Sequence, residues 1–310
     1  MPEFYLVPKN LARKAPRLAK AIHWLEASVF RSLFWVIQRV SLEPALKVSG
    51  ALFAAVGPHT SKAKKAHENL AIAFPEKSEE WRRQTVRKIF RSLGYSAVEL
   101  IKLNQIWEER ESRIEYVAEP GARELLQSRT GSILITAHVG PWQVGPLMAR
   151  EYGVTMNTIY APESNPVMND LMAELRESIG GRLISSEQGP RPIMKELKAG
   201  NSVIMAMDTR PDTGKLIPFF DRDALTNTSA VGLALRTNSQ LLVARSERLP
   251  GARYRITAYT PIVNPLPDAP VKEQAVAITK IIHRYFEDWI RENPDQWICL
   301  KRRWPKAHKL

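Results

Sequence analysis

The sequence predicts an α/β protein, with a mainly parallel sheet flanked by helices behind an N-terminal helical region. Three observations predict it. From residue 131 onward, short apolar runs alternate with longer amphipathic ones, the β-α-β rhythm that builds a parallel sheet covered on both faces. Gly153, Gly180-Gly181 and Gly200 fall where the intervening helices would end. Residues 61–110 read as helical instead.

In chain order, segments 31–39 (RSLFWVIQR) and 48–57 (VSGALFAAVG) are apolar but short. Arg31, Arg39, Glu43 and Lys47 interrupt them, so this region holds no unbroken membrane-spanning run. The uncharged stretch 130–149 contains Gly, Pro, His and Gln and reads as strand, turn and helix. Basic residues interleaved with Trp and Phe suit a segment lying in a membrane interface. They equally suit a helical hairpin packed on the core. Lys9, Arg13, Lys14, Arg17 and Lys20 weigh toward anionic lipid. No cleavable signal peptide is expected, because no compact apolar region ending in small residues follows the start. The chain therefore divides into a basic, amphipathic, membrane-associating helical segment (1–60) and an α/β domain (61–310).

Residues 61–110 read as helical, with Val86, Ile89, Phe90, Leu93, Tyr95, Val98 and Leu100 on an apolar face. Strands are expected at 132–137, 155–160, 182–185, 202–207, 240–246 and 253–259, and helices at 142–151, 166–179, 190–199, 228–237 and 272–292. Two close strands around Pro250-Gly251 look like an antiparallel hairpin at the sheet edge. In the last helix Ala275, Ile278, Ile282, Tyr285 and Trp289 form a packing stripe, with His283 beside it as a structural or solvated residue.

The net charge of +13 is unevenly spread. Residues 1–65 carry 11 Lys/Arg and 3 Asp/Glu, a net +8, and residues 301–310 carry five basic groups and no acid, which leaves 66–300 neutral. Basic ends fit nucleic acid, an anionic membrane or an acidic carrier protein. The neutral centre and the lack of a nucleic-acid-binding motif weigh against the first. One cysteine, Cys299, excludes an internal disulfide and points to a reducing compartment. The six histidines show no metal-ligand spacing, so neither metal nor cofactor is expected.

His138 is the residue with most chemical promise. It ends the apolar run 131–137 and is followed by Gly140 and Pro141, which break the strand and open a helix at Trp142. Ligands meet α/β sheets at the carboxyl ends of strands. The Gly140-Pro141 step clears space and presents backbone N–H groups next to a helix start, suited to a developing oxyanion. Histidine matches general-base work near neutral pH, although a histidine at a strand end is often only a hydrogen-bonded structural residue. No Gly-x-Ser-x-Gly elbow competes, and Cys299 lies between apolar neighbours. A base without a protein nucleophile fits direct transfer, in which the acceptor's own hydroxyl attacks.

The block from His138 to Gln143 resembles the His-x-x-x-x-acid motif of the glycerolipid acyltransferase superfamily, and most resembles the branch that adds secondary acyl chains to bacterial lipid A. Further pieces in order carry the same resemblance: Asn69-Leu70 with Phe74-Pro75-Glu76, Glu99, Arg176 before Gly180-Gly181, the strand ending in Asp208, Ile217-Pro218-Phe219-Phe220 with Thr226, and Pro294-Asp295-Gln296-Trp297 with Arg302-Arg303-Trp304. The resemblance implies a glycerolipid-acyltransferase-like fold. It also implies transfer of a fatty acyl chain from acyl carrier protein to a hydroxyl of a lipid A-type glycolipid, at the cytoplasmic face of the bacterial inner membrane. His138 would be the base and Asp208 would hold or orient the site. Arg176 would neutralise phosphate or an oxyanion, and Gly140, Trp142, Phe219 and Phe220 would meet substrate. A structural Arg176–Asp208 ion pair is an equally open reading. Acyl carrier protein, anionic membrane lipid and the glycolipid acceptor are the implied partners.

Three positions depart from the pattern. Gln143 stands where the motif has its acid, Asp221 where Gly follows Phe-Phe, and Lys301 where the closing signature has His. Either Asp170, Glu163 or Asp208 replaces the acid, or the chain is a weakly active or non-catalytic lipid- or carrier-binding relative, or Gln143 is engineered. Other acceptors within the family's reach are a mannosylated phosphoinositide or an aminolipid.

Overall fold

The computed structural model describes residues 14–305 except Arg129, Ile179 and Asp212. Of the basic ends, Lys9, Arg13, Lys306 and Lys309 lie outside the described residues. Helices come first: α1 (Pro16–Arg39), α2 (Leu42–Val56), α3 (Ser61–Ala73), α4 (Glu79–Ile101), α5 (Leu103–Glu108) and α6 (Arg110–Arg113). Ser78 starts α4 by accepting the Trp81 N–H, with Glu79 and Glu80 in the positive first turn. The alternating part follows as β1 (Ile114–Ala118), α7 (Ala122–Ser128), β2 (Ser132–Thr136), α8 (Leu147–Glu151), β3 (Met156–Tyr160), α9 (Pro166–Glu177), β4 (Leu183–Ser185), α10 (Pro190–Lys198) and β5 (Ser202–Ala206). Last come β6 (Lys215–Phe219), β7 (Arg222–Thr226), α11 (Ser229–Thr237), β8 (Gln240–Leu249), β9 (Arg253–Ala258) and α12 (Val271–Glu292).

Seven strands form one sheet in the order β1-β9-β8-β2-β5-β3-β4. The five from β8 to β4 are mutually parallel, whereas β9 runs antiparallel to β8 and pairs in parallel with β1. The mainly parallel sheet is therefore the one expected. Every residue of β2 is buried, as a strand covered on both faces requires. Ile133, Ile135, Val203 and Val243 face a core shared with α10, α11 and α12. Leu134, Ile204 and Leu242 face a second core closed by α4, α5 and α8.

Two expectations are corrected, and one hairpin was not expected. The helix at 142–151 is a 3-10 turn, Trp142–Val144, followed by the short α8. Gly145-Pro146 separates them, because Pro146 has no N–H to continue the first turn. The β8–β9 hairpin is not at the edge, since β8 lies beside β2 and β1 closes the sheet outside β9. The β6–β7 hairpin escaped notice because its two-residue turn, Phe220-Asp221, holds no glycine, although both residues have positive φ (51° and 55°).

The N-terminal helices are layered on this domain. Leu42 and Ala45 of α2 enter the second core. At the crossing of α2 and α4, a Cβ on Gly94 would lie 2.7 Å from the Ser49 carbonyl oxygen, so backbones touch there. Helix α1 is fastened to α9 by Asn165, whose side chain caps α9 and donates to Glu26 (2.8 Å) and to the His23 carbonyl (3.2 Å). The opposite faces remain open: Leu18, Trp24, Leu25, Val29, Leu33, Trp35 and Val36 on α1, and Val48, Leu52 and Val56 on α2, are all at least 48% exposed. Among the described residues no helix is long and apolar enough to cross a membrane.

Candidate active site

Parallel pairing of β2 with β5 runs Ile133↔Val203 through Thr136↔Ala206. The Met207 N–H reaches the Thr136 carbonyl at 3.0 Å, which carries the pairing past the strand ends. That register brings His138 and Asp208, two residues beyond each strand, side by side at the carboxyl end of the sheet. Asp208 Oδ1 accepts the His138 backbone N–H at 3.0 Å and lies 2.7 Å from His138 Nδ1. Its other oxygen, Oδ2, accepts the Trp297 indole N–H at 3.2 Å. With the carboxylate accepting at Nδ1, the proton sits there and the Nε2 lone pair is basic. The Asp208 side chain is 2% exposed and that of His138 28%, so the acid is sealed and the imidazole reaches the surface. Burial alone would push the Asp208 carboxyl up. The electrostatic pull and hydrogen bonds of His138, with the Trp297 donor, outweigh burial and hold it below its ordinary range.

The residues after α12 clamp this pair. Gln296 accepts the Gly140 N–H at 3.1 Å, Ile298 donates to the His138 carbonyl at 2.8 Å, and Val139 bridges Trp297. Gly140 has φ +64°, and a Cβ there would come within 2.5 Å of the Ser246 carbonyl oxygen. Only glycine fits. The same contacts correct its expected role: the Gly140 N–H is already bonded to Gln296 and Pro141 carries none, so neither is an oxyanion donor.

Trp142 stands edge-on to the His138 ring, 5.2 Å between centroids, and is half-buried. Gln143 is half-buried too and makes no hydrogen bond to His138 among the described residues. Of the three acids considered as substitutes, Asp208 holds the imidazole. Asp170 is exposed on α9, and the Glu163 backbone N–H bonds to Asn169 Oδ1. Arg176 lies half-buried in the last turn of α9. Among the described residues, Asp208 accepts from His138 and Trp297.

Phe219 and Phe220 are both buried, Phe219 fully and Phe220 with 6% exposed. Phe220 stacks on Trp297, and Phe219 stacks on Trp304. Their expected contact with substrate is corrected to packing behind the indole that holds Asp208. Arg303, 1% exposed, closes this cluster, donating to the Leu225 carbonyl and Thr226 Oγ1, with its guanidinium over Phe219. Burial lowers its pKa to about 10. His283 donates Nδ1–H to the Pro218 carbonyl at 2.7 Å and is structural, with its pKa lowered by burial to about 4. Glu99 is fully buried in a two-pronged ion pair with Arg248 (2.6 and 2.8 Å). Cys299 is buried, which pushes its thiol up and away from thiolate chemistry. Asn69 ties α3 to the C-terminal segment through the carbonyls of Cys299 and Lys301 and the Arg303 N–H. Lys301 contributes its backbone and leaves its side chain exposed.

Trp297 is a site residue whose part is not legible in the sequence. Its sequence signal was an indole directly after a long amphipathic helix, but its partner is 89 residues away.

The chain is 27% identical over 256 residues to the lipid A biosynthesis lauroyltransferase of Escherichia coli (strain K12), covering 78% of each chain. It is 22% identical over 252 residues to the lipid A biosynthesis myristoyltransferase of the same strain, covering 79% of this chain and 77% of that one. A solved 1-acyl-sn-glycerophosphate acyltransferase, PlsC from Thermotoga maritima, aligns with 78% of this chain and 96% of its own at 15% identity and a TM-score of 0.37. The model of the bacterial lipid A biosynthesis acyltransferase family matches residues 10–306, and the chain belongs to that family.

Proposed function

We propose that this protein transfers a fatty acyl chain from an acyl carrier protein thioester to a hydroxyl of a lipid A-type glycolipid, with His138 as general base. The observation that carries the proposal is the His138–Asp208 pair: a buried carboxylate fixes Nδ1 and leaves Nε2 basic at the open end of the sheet. Nε2 takes the acceptor hydroxyl proton as the oxygen attacks the thioester carbonyl. The tetrahedral intermediate collapses, the C–S bond breaks, and the departing thiolate takes the proton back from the imidazolium. Ester and carrier thiol are the products. Asp208 stabilises the imidazolium between these steps. Trp142 walls the imidazole, and Arg176 is the candidate cation for acceptor phosphate.

The open apolar faces of α1 and α2 support action at a membrane surface. These helices also carry the exposed Arg17, Lys20, Arg31, Arg39 and Lys47, the chemistry of an interfacial helix on anionic lipid. The reading puts the reaction at the cytoplasmic face of the inner membrane, where the basic charge would also attract an acidic carrier protein.

Transfer of labelled acyl chain from acyl carrier protein to a lipid A precursor tests the reading. His138→Ala abolishes transfer, and Asp208→Asn lowers kcat by roughly 10⁴, the cost of losing the orienting carboxylate of a comparable triad. Gln143→Glu changes kcat less than about tenfold, because the imidazole already has its carboxylate. Full activity in Asp208→Asn, with activity gained in Gln143→Glu, would refute this assignment.

A further inference from the structure

A cleft of about 580 Å³ opens between α1, α5 and α9, separate from the His138 pair. Its floor is apolar: Phe34, Ile101 and Leu171 are each 7–8% exposed, and Leu175 lies beside them. Its polar wall holds Lys102, 3% exposed, and the exposed Arg31.

Lys102 is the unusual member. Its ammonium donates to Gln105 Oε1 at 2.7 Å and, more weakly, to the Gln38 carbonyl at 3.4 Å near the C-terminus of α1. Among the described residues it makes no ion pair. Glu109, the acid whose field it feels, is bonded to Gln105 and Arg113. A buried cation held by neutral acceptors keeps much of its desolvation cost, and burial accordingly pulls its pKa down. The negative end of the α1 dipole offsets only part of that cost. An anion entering the cleft would supply the missing countercharge. Glu174 on the opposite rim is the single acid of the lining and is exposed, where solvent screens it.

We infer that this cleft binds the phosphate head of an anionic membrane lipid, with Lys102 and Arg31 on the phosphate and the first methylenes on Phe34, Leu171 and Leu175. The apolar floor selects a lipid over a free phosphate. Trp35, 57% exposed, lines the cleft on the helix that also exposes Leu33 and Val36, so the cleft adjoins the open apolar surface that would meet a bilayer. The inference rests on the cleft alone and not on the chemistry assigned to His138.

Calorimetric titration of the full chain with dihexanoyl phosphatidylglycerol, dihexanoyl phosphatidylcholine and inorganic phosphate tests it. Phosphatidylglycerol binds, and the other two bind at least about tenfold more weakly, the scale of a charge-assisted contact or of lost apolar burial. Arg31→Ala, which removes an exposed cation, and Leu175→Trp, which fills the floor, each weaken phosphatidylglycerol by about tenfold. His138→Ala binds it as the unaltered protein does. Equal binding of the two lipids, phosphate binding as tightly as phosphatidylglycerol, or wild-type binding in Leu175→Trp would overturn the inference. So would loss of binding in His138→Ala, which would move the lipid to the active site.

Discussion

At the scale of single residues, the Asp208 carboxylate is divided between two donors with different tasks. Oδ1 takes the backbone and ring of His138, and Oδ2 takes the indole of Trp297. Each is a hydrogen bond to a charged acceptor, worth about 1.5–3 kcal/mol. Trp297→Phe keeps the ring stacked on Phe220 and removes one donor, leaving Asp208 freer to turn away from the imidazole. The expected result is a kcat lowered roughly 10- to 100-fold at unchanged KM for the acceptor. A variant that raises KM instead would mean that Trp297 meets substrate. On the proposed reading of the site, the Asp208 carboxylate, two residues beyond the neighbouring strand, takes the place that the motif gives to the residue five positions on.

At the scale of elements, the β6–β7 hairpin closes with both turn residues in the left-handed region, as a tight twisted hairpin demands. Side chains there cost up to about 1–2 kcal/mol, somewhat less for aspartate, whereas glycine is free of the penalty. Asp221→Gly therefore raises stability by up to about 1 kcal/mol, seen as a higher urea midpoint at constant slope. Against β6, α12 buries neutral His283 between the Pro218 carbonyl and Arg303. The folded protein refuses a proton, down to about pH 4, that the unfolded chain accepts below its ordinary 6.5. Stability is complete above pH 6.5 and falls by about 3 kcal/mol as pH drops to 4. Urea titrations across that window should show the loss, and His283→Gln, which keeps a donor and an acceptor, should flatten it. Asp208 acts elsewhere: its depressed carboxyl adds stability that is lost only below the ordinary carboxylate range.

At the scale of the whole molecule, charge and greasiness are placed together. The central 235 residues of the sequence sum to zero, and the excess charge is at the ends. The open apolar residues concentrate on α1 and α2, the helices that carry much of that charge. Trp24 (48% exposed) and Trp35 (57%) are the largest of them. Replacing both by serine removes on the order of 200 Å² of apolar surface at about 25 cal/mol per Å². Sedimentation with anionic vesicles should fall by more than about tenfold, with the folded state and turnover of a detergent-dispersed acceptor unchanged. Unaltered sedimentation would show that the membrane meets another face.

The sequence by itself determined the parallel sheet, the helical front and the position of His138. Those rest on local facts: the buried run 132–136, the Gly140-Pro141 break, and amphipathic periods long enough to read. Which acid lies against the histidine is a matter of tertiary structure. Asp208 was legible as a candidate, but the choice among Asp208, Asp170 and Glu163 depends on β5 lying next to β2 in a register offset by 70 residues. Two parallel strands pair through a crossover, so their contact leaves no short-range signal. The same holds for Phe219 and Phe220. Their hydrophobicity announces burial or binding alike, and only the packing of Trp297 and Trp304 around them settles for burial. The glycine-free turn at Phe220-Asp221 hid a hairpin for a similar reason: tertiary contacts, including the Glu287 carboxylate on the Phe220 N–H, hold a backbone that local propensity disfavours.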